Sequence, residues 1–170
     1  MERRARIAAA LLGWILCGCG YHVNNLAPAL RLRTIAIPTL KNRTSTFQVE
    51  QRLTRALIEE FSSRGHFRVT SSEDGADAAV LGEITALSSA PVIIGRASFG
   101  STFLVTLNAR VRLVDLKSGK VLFRNDNYVF REQYVINADV KEFFSEVNPA
   151  LERVARDFAK SVLASVLTGN

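Results

Sequence analysis

The chain contains two cysteines, Cys17 and Cys19, and their spacing limits the chemistry that they can do. A zinc site takes three or four protein ligands, but no second cluster of Cys or His accompanies this pair. The redox motif C-x-x-C is absent as well. A disulfide across one intervening residue would be strained. The pair therefore indicates a different chemistry.

The residues before the cysteines have the profile of a secretory signal. Arg3, Arg4 and Arg6 form a basic start, and the uncharged run IAAALLGWIL follows. That run is too short to span a bilayer, which takes about 20 apolar residues in a helix. We therefore predict that residues 1–18 are a cleaved signal peptide.

The end of this signal resembles the lipobox of bacterial lipoproteins, in which a cysteine becomes the first mature residue and receives the lipid. Cys19 fits better than Cys17, because the small Gly18 precedes it whereas bulky residues precede Cys17. The alternative is an uncleaved apolar N-terminus. In the enteric sorting rule, lipoproteins with Asp directly after the lipidated cysteine are retained at the inner membrane. Residue 20 is Gly, so the resemblance implies the outer membrane.

The remaining chain has the size of a single domain. The whole sequence of 170 residues carries a formal net charge of +6, a modest basic excess. We predict a tether at residues 19–33 and one domain at residues 34–168. Because that domain contains no cysteine, its stability must come from burial alone.

Two segments show the apolar spacing of amphipathic helices. Ser45 and Gln48 form a capping box for the first helix, which we predict over residues 46–64. The second is predicted over residues 149–167, with Pro149 as its first helical residue.

Strand patterns separate the helices. The segment 101–115 alternates strictly, which indicates one packed face and one wet face, and it forms a hairpin with a following strand that has a bulge near residues 125–127. Earlier strands are predicted at 34–38, 66–70 and 78–89. In the last of these, Gly82 weakens the strand or marks a close approach, and four residues share a face: Ala78, Val80, Ile84 and Ala86.

This order predicts an α/β two-layer sandwich of the α+β kind, with both helices on one face of a mixed four- to five-stranded sheet. The other sheet face is polar and available. The histidines lack a partner nearby in sequence, and nucleophile, phosphate-loop and dinucleotide motifs are absent. We expect no enzyme activity, no cofactor, no metal and no nucleic-acid partner.

Several segments resemble the LPS-assembly lipoprotein LptE family over most of residues 19–167. They are CGYH, IAIPTLKNRT with the helix VEQRLTRALIEEFSSRGHFRV, ADAAVLGEI and VRLVDLKSGKVLF. The resemblance implies a noncatalytic, lipid-anchored protein on the periplasmic side of the outer membrane. Its partners would be an LptD-like β-barrel, whose lumen it plugs, and the lipopolysaccharide that it helps to transport.

The opening strand, loop and helix also resemble lipoproteins of the CsgG and penicillin-binding-protein-activator kind. CGYH and the later hairpin favour LptE. The second class stays open as an alternative: a periplasmic lipoprotein that oligomerises or stimulates an enzyme.

Two sets of residues are candidates for binding. Arg110 and Arg112 share the wet face of the segment 101–115 and suit lipid A phosphates, since Arg binds phosphate through two donors; the alternative is two solvated strand residues. The segment 89–100 is predicted as an apolar loop that contacts the barrel, unless it extends the strands into the core. Its candidate residues are Val92, Ile93, Ile94, Arg96 and Phe99.

We predict that Cys19 is the diacylated N-terminal residue of the mature protein. Cys19→Ser should release the protein to the soluble fraction, because one lipid-modified residue carries the anchor. Cys17→Ser is the matched control and should change nothing. Intact-mass measurement of the membrane-extracted protein checks this, and a mass that still includes residues 1–18 contradicts it.

Overall fold

The computed structural model describes residues 32–64, 66–94, 101–136 and 140–169. The helices are α1 (Val49–Arg64) and α2 (Val140–Thr168). The strands are β1 (Thr34–Ala36), β2 (Lys41–Asn42), β3 (Arg68–Thr70), β4 (Ala78–Ile94), β5 (Ser101–Asp115) and β6 (Val121–Ile136).

The strands form one mixed, six-stranded sheet. Its order is β3-β1-β4-β5-β6, and β2 pairs with β4 beyond the end of β1. β1 runs parallel to both of its neighbours, while β4, β5 and β6 form an antiparallel meander. Both helices pack on one face, which confirms the predicted α+β sandwich. The two-residue β2 brings the number of strands above the predicted four to five.

The alternation predicted for β5 is confirmed by burial. Leu107, Ala109 and Val111 are buried against the helices, whereas Arg110 and Arg112 are exposed on the other face. Successive side chains of a strand point to opposite faces, so β5 separates the core from the solvated surface.

The start of α1 differs from the prediction. Gln48 has φ of 59°, outside the right-handed helical region, so it cannot serve as the third helical residue of a capping box with Ser45. The helix begins at Val49. The side-chain amide of Asn42 donates to the Glu50 carboxylate at 2.8 Å and so fastens the loop to the first turn.

The start of α2 was also predicted wrongly. Pro149 lies inside a helix that begins at Val140, although it has no N–H for the bond to the fourth preceding carbonyl. The sequence contains a signal for the earlier start, because apolar residues recur at helical spacing upstream of the proline. Placing Pro149 at the first helical position did not account for them. Those residues are Val140, Phe143, Phe144 and Val147.

A bulge in β4 overturns the predicted position of Ala86. Ile84 lies opposite Ala109 and Ala86 lies opposite Asn108, so Thr85 is an extra residue in the ladder. The extra residue moves Ala86 to the exposed face. The bulge predicted in the next strand is confirmed, because the β5–β6 register also shifts at residues 125–128.

The close approach predicted at Gly82 is confirmed. A Cβ atom at Gly82 would lie 3.0 Å from Cγ and Cδ2 of Leu40, a buried residue of the core. The Leu40 N–H donates to Oγ1 of the buried Thr54 at 3.1 Å. Gly82 therefore leaves room for the loop after β1 to pack between β4 and α1.

Asp77 fixes the point where the chain enters the sheet. Its carboxylate accepts hydrogen bonds from the N–H groups of Arg33 and Thr34, each at 3.0 Å, and from Nζ of Lys117 at 2.7 Å. The Lys117 hydrogen bond, followed by the two backbone donors, lowers the pKa of Asp77 from 3.8 to about 2. Leu32 packs partly buried against the core beside this group.

We predict that Asp77 stabilises the fold only where it is ionised. Because its pKa is lower in the folded state, the contribution is complete above pH 4 and is lost as the pH falls through about 2. Asp77→Asn should lower the melting temperature at pH 7, and the difference from the parent should shrink below pH 4 and disappear below pH 2. Thermal unfolding monitored by circular dichroism measures this.

Glu59→Gln on the exposed side of α1 is the control and should leave the melting temperature nearly unchanged. A difference between Asp77→Asn and the parent that is constant from pH 7 to pH 2 contradicts the assignment.

Candidate functional site

The sheet face opposite the helices contains an open depression of about 740 Å³. It lies between the loop after β1, the middle of β4 and the hairpin of β5 and β6. Its charged lining residues are Lys41, Glu73, Glu83, Arg110, Arg112, Arg124 and Asp126.

Strand register brings the predicted pair, Arg110 and Arg112, into this depression. Arg110 lies opposite Glu83 of β4, and Arg112 lies between Leu81 of β4 and Arg124 of β6. Arg112 and Arg124 are therefore like charges in directly opposed positions, an arrangement that destabilises a sheet.

Two of the three acidic residues of the depression compensate other cations. Glu83 pairs with Arg43 at 3.3 Å, and Asp126 pairs with Arg124 at 2.7 Å. Within the part of the chain that the structure describes, Arg110 and Arg112 have no carboxylate within ion-pair distance. The face therefore presents two guanidinium groups whose charge is available to an anion.

Sequence reasoning missed two further cations of this face, Lys41 and Arg124. Lys41 lies beside Glu83 only because the two-residue β2 pairs with β4. Arg124 was available from its own strand, since it follows the buried Phe123 in an alternating pattern. Its place opposite Arg112 depended on the hairpin register, which the turn after Asp115 sets.

The apolar segment 89–100 is only partly a loop. β4 continues to Ile94, so the first half of the segment is strand, and Val92 is 51% exposed rather than in the core. The side chains of Ile93 and Ile94, and the whole of Arg96 and Phe99, lie outside the described residues.

An uncharged surface extends from the depression toward Val92. Ala86, Ser88 and Ala90 are exposed, and the sequence from Ala86 to Val92 contains no charged residue. We call these residues, 86 to 92, the uncharged segment. Small, uncharged side chains allow another protein surface to approach the strand closely.

The other candidate, Cys19, lies outside the described residues. Within residues 32–64, 66–94, 101–136 and 140–169, no group of three or more His, Cys, Asp and Glu could hold a metal ion. The helices found in those ranges are not long and apolar enough to cross a membrane. His66 is exposed at the junction between α1 and β3.

The structure is a two-layer α+β domain with a packed helix layer and a sheet face that carries an excess of basic residues in its depression. The sequence model of the family described as LptE, lipopolysaccharide-assembly, matches residues 32–166. The match covers most of the chain, and the protein belongs to the LptE family. No curated protein sequence matches the chain significantly.

Solved structures share the fold at low sequence identity. Protein CT253 from Chlamydia trachomatis is 12% identical, with a TM-score of 0.53 over 81% of this chain and 99% of that one. Protein XCC0632 from Xanthomonas campestris is 9% identical, with a TM-score of 0.53 over 81% of this chain and 85% of that one. These likenesses establish the architecture alone, and the LptE match favours lipopolysaccharide assembly over the CsgG-like or activator class.

Proposed function

We propose that this protein is a noncatalytic, lipid-anchored component of lipopolysaccharide assembly at the outer membrane, on its periplasmic side. Its domain plugs the lumen of an LptD-like β-barrel, and its sheet face binds the phosphates of lipopolysaccharide. The observation that carries the proposal is the pair Arg110 and Arg112, without carboxylate partners among the described residues, on the exposed face of a domain that belongs to this family.

The chemistry of the face suits a barrel interior. Lumens of large outer-membrane barrels are polar and wet, whereas their outer surfaces are apolar. A plug therefore needs polar side chains on that face, as β5 provides with the exposed Arg110 and Arg112 and the partly exposed Thr106 and Asn108. An apolar face would lack hydrogen-bond partners for the groups that line the lumen.

The cationic excess suits a phosphate group. A guanidinium is planar and donates two parallel hydrogen bonds to phosphate oxygens. An anion at the depression would also reduce the repulsion between Arg112 and Arg124, which face each other across β5 and β6. Ligand binding and relief of this repulsion would act together.

The lining of the depression supports a noncatalytic role. It contains neither His nor Cys, and its two closest acid–base contacts are the ion pairs of Glu83 and Asp126. A general base requires a free and positioned group. Glu83 and Asp126 are held by arginines, and the third carboxylate, Glu73, is exposed in the turn after β3, where no ion pair with a described residue positions it. We therefore assign the face to binding.

Replacing both arginines with glutamate tests direct binding. Arg110→Glu with Arg112→Glu turns two attractions into two repulsions and leaves the buried Val111 in place, so affinity should fall far more than stability. Charge-assisted contacts are worth on the order of 1.5–3 kcal/mol each, which corresponds to a loss of roughly a hundredfold or more at low salt. Lipopolysaccharide binding and thermal unfolding are measured on the same samples.

The matched control is Arg55→Glu with Arg156→Glu, which reverses two exposed cations on the helix layer. It has the same change in net charge and should keep most of the affinity. If the double variant on β5 binds as tightly as the parent, the arginines are solvated strand residues and direct phosphate binding is wrong.

Photo-crosslinking tests contact between the barrel and the segment 89–100. A crosslinking residue at Val92 or Phe99 should capture a large outer-membrane protein in cells, because this segment is apolar and Val92 is exposed. The same residue at Glu59 on α1 should capture less. Mass spectrometry of the crosslinked band identifies the partner.

Equal capture at Val92, Phe99 and Glu59, or none at any of them, would rule out this segment as a specific contact. Copurification after mild detergent extraction is the accompanying test of the plug itself, which requires one large barrel protein in the complex.

A further inference from the structure

One end of the sheet carries a row of exposed basic residues, which we call the basic end: Arg33, Arg68, Lys117 and Lys120. The backbone places them side by side. The Arg68 N–H donates to the Arg33 carbonyl at 2.7 Å, and the Asp115 N–H donates to the Lys120 carbonyl at 2.9 Å. The row therefore runs from the start of β3, past the start of β1, to the turn between β5 and β6.

Two carboxylates lie among these cations, and both have partners. Asp77 holds Lys117 and the backbone of residues 33 and 34. Asp115 accepts hydrogen bonds from the N–H groups of Lys117 and Ser118 within the turn. Arg33, Arg68 and Lys120 have no carboxylate within ion-pair distance among the described residues, so the basic end keeps an excess of positive charge.

The chain from the N-terminus joins the fold at this same end. Asp77 accepts hydrogen bonds from the backbone N–H groups of Arg33 and Thr34. The chain that leads from Cys19 therefore enters the domain at the basic end. The connecting residues 20–32 extend to about 45 Å at most, which is long enough for the domain to leave the membrane surface. Without a barrel to hold the domain, contact between the domain and that surface thus requires an attraction of its own.

We propose that the basic end rests on anionic lipid headgroups of the membrane that holds the N-terminal lipid; the inference rests on the proposed anchorage at Cys19. Each basic residue raises the affinity of a protein for an anionic membrane surface by about fivefold at low ionic strength. This attraction decays within a Debye length of about 10 Å at 0.1 M salt. Arg33, Arg68 and Lys120, which form no ion pair with a described residue, lie at the end of the sheet where the chain from the N-terminus enters the fold.

Contact is measurable with the full lipidated chain in vesicles. The described residues contain no cysteine, so Ser118→Cys in the exposed turn provides one labelling site at the basic end, and Gln51→Cys at the start of α1 provides one far from it. Vesicles of phosphatidylcholine, with or without phosphatidylglycerol, carry a headgroup quencher. We expect quenching at residue 118 only with phosphatidylglycerol, its loss in 0.5 M salt, and none at residue 51.

Charge reversal separates contact by the basic end from general attraction. Arg68→Glu with Lys120→Glu should reduce quenching at residue 118 by about tenfold or more at low salt. Arg55→Glu with Arg156→Glu, the same change in net charge on the helix layer, should leave it unchanged. Quenching that is equal in both vesicle types, or equal in the two double variants, overturns the proposal.

Failure of the anchorage gives a different result. A chain that floats with neither vesicle type after a high-salt wash shows that the proposed lipidation is wrong. For that chain, quenching at residue 118 by added phosphatidylglycerol vesicles at low salt still supports the membrane contact, and its absence overturns it.

Discussion

The two faces of β5 are the constraint on which the rest of the structure depends. A strand with a period of two residues must give alternate side chains to opposite surfaces, so packing Leu107, Ala109 and Val111 under the helices forces Arg110 and Arg112 outward. A slip of one residue in register would bury two guanidinium groups and expose the core, which makes this register strongly specified.

The position of the bulges follows from the same constraint. Thr85 in β4 and the irregularity at residues 125–128 in β6 lie on either side of Asn108 to Val111 in β5. Each bulge changes which residues of its strand face the helices, and each locally increases the twist. The concave polar surface lies next to these irregularities.

The surface carries an electrostatic cost that the core must offset. Arg112 and Arg124 oppose each other across the ladder, while Glu83 and Asp126 are held by other arginines. Cross-strand repulsion is modest when both groups are hydrated, on the order of 0.2–1 kcal/mol. A fold with a large buried cluster spanning both helices and the sheet tolerates this cost, and an anionic ligand would remove it.

The N-terminal side of the domain is held by polar contacts at both ends of the first strand. Asp77 binds the backbone before β1, and Thr54 binds the backbone of Leu40 after it. These contacts join residues that are far apart in sequence. They give the chain a fixed entry point, so the position of the basic end relative to the incoming chain is a property of the folded domain.

The sequence by itself determined the layer architecture, the packed and wet faces of β5, the bulged hairpin and the close approach at Gly82, because each depends on a local pattern or on a missing side chain. The start of α2 was also marked in the sequence, by apolar residues at helical spacing upstream of Pro149. Only the tertiary structure decided the start of α1, the outward turn of Ala86, and the grouping of Lys41 and Arg124 with the predicted arginines. Those features depend on a side chain reaching from another segment, as Asn42 does to α1, or on strand register. The local conformational preferences of a segment are small, and contacts with distant residues can override them. The sequence pattern within one segment does not show which distant residues it will contact.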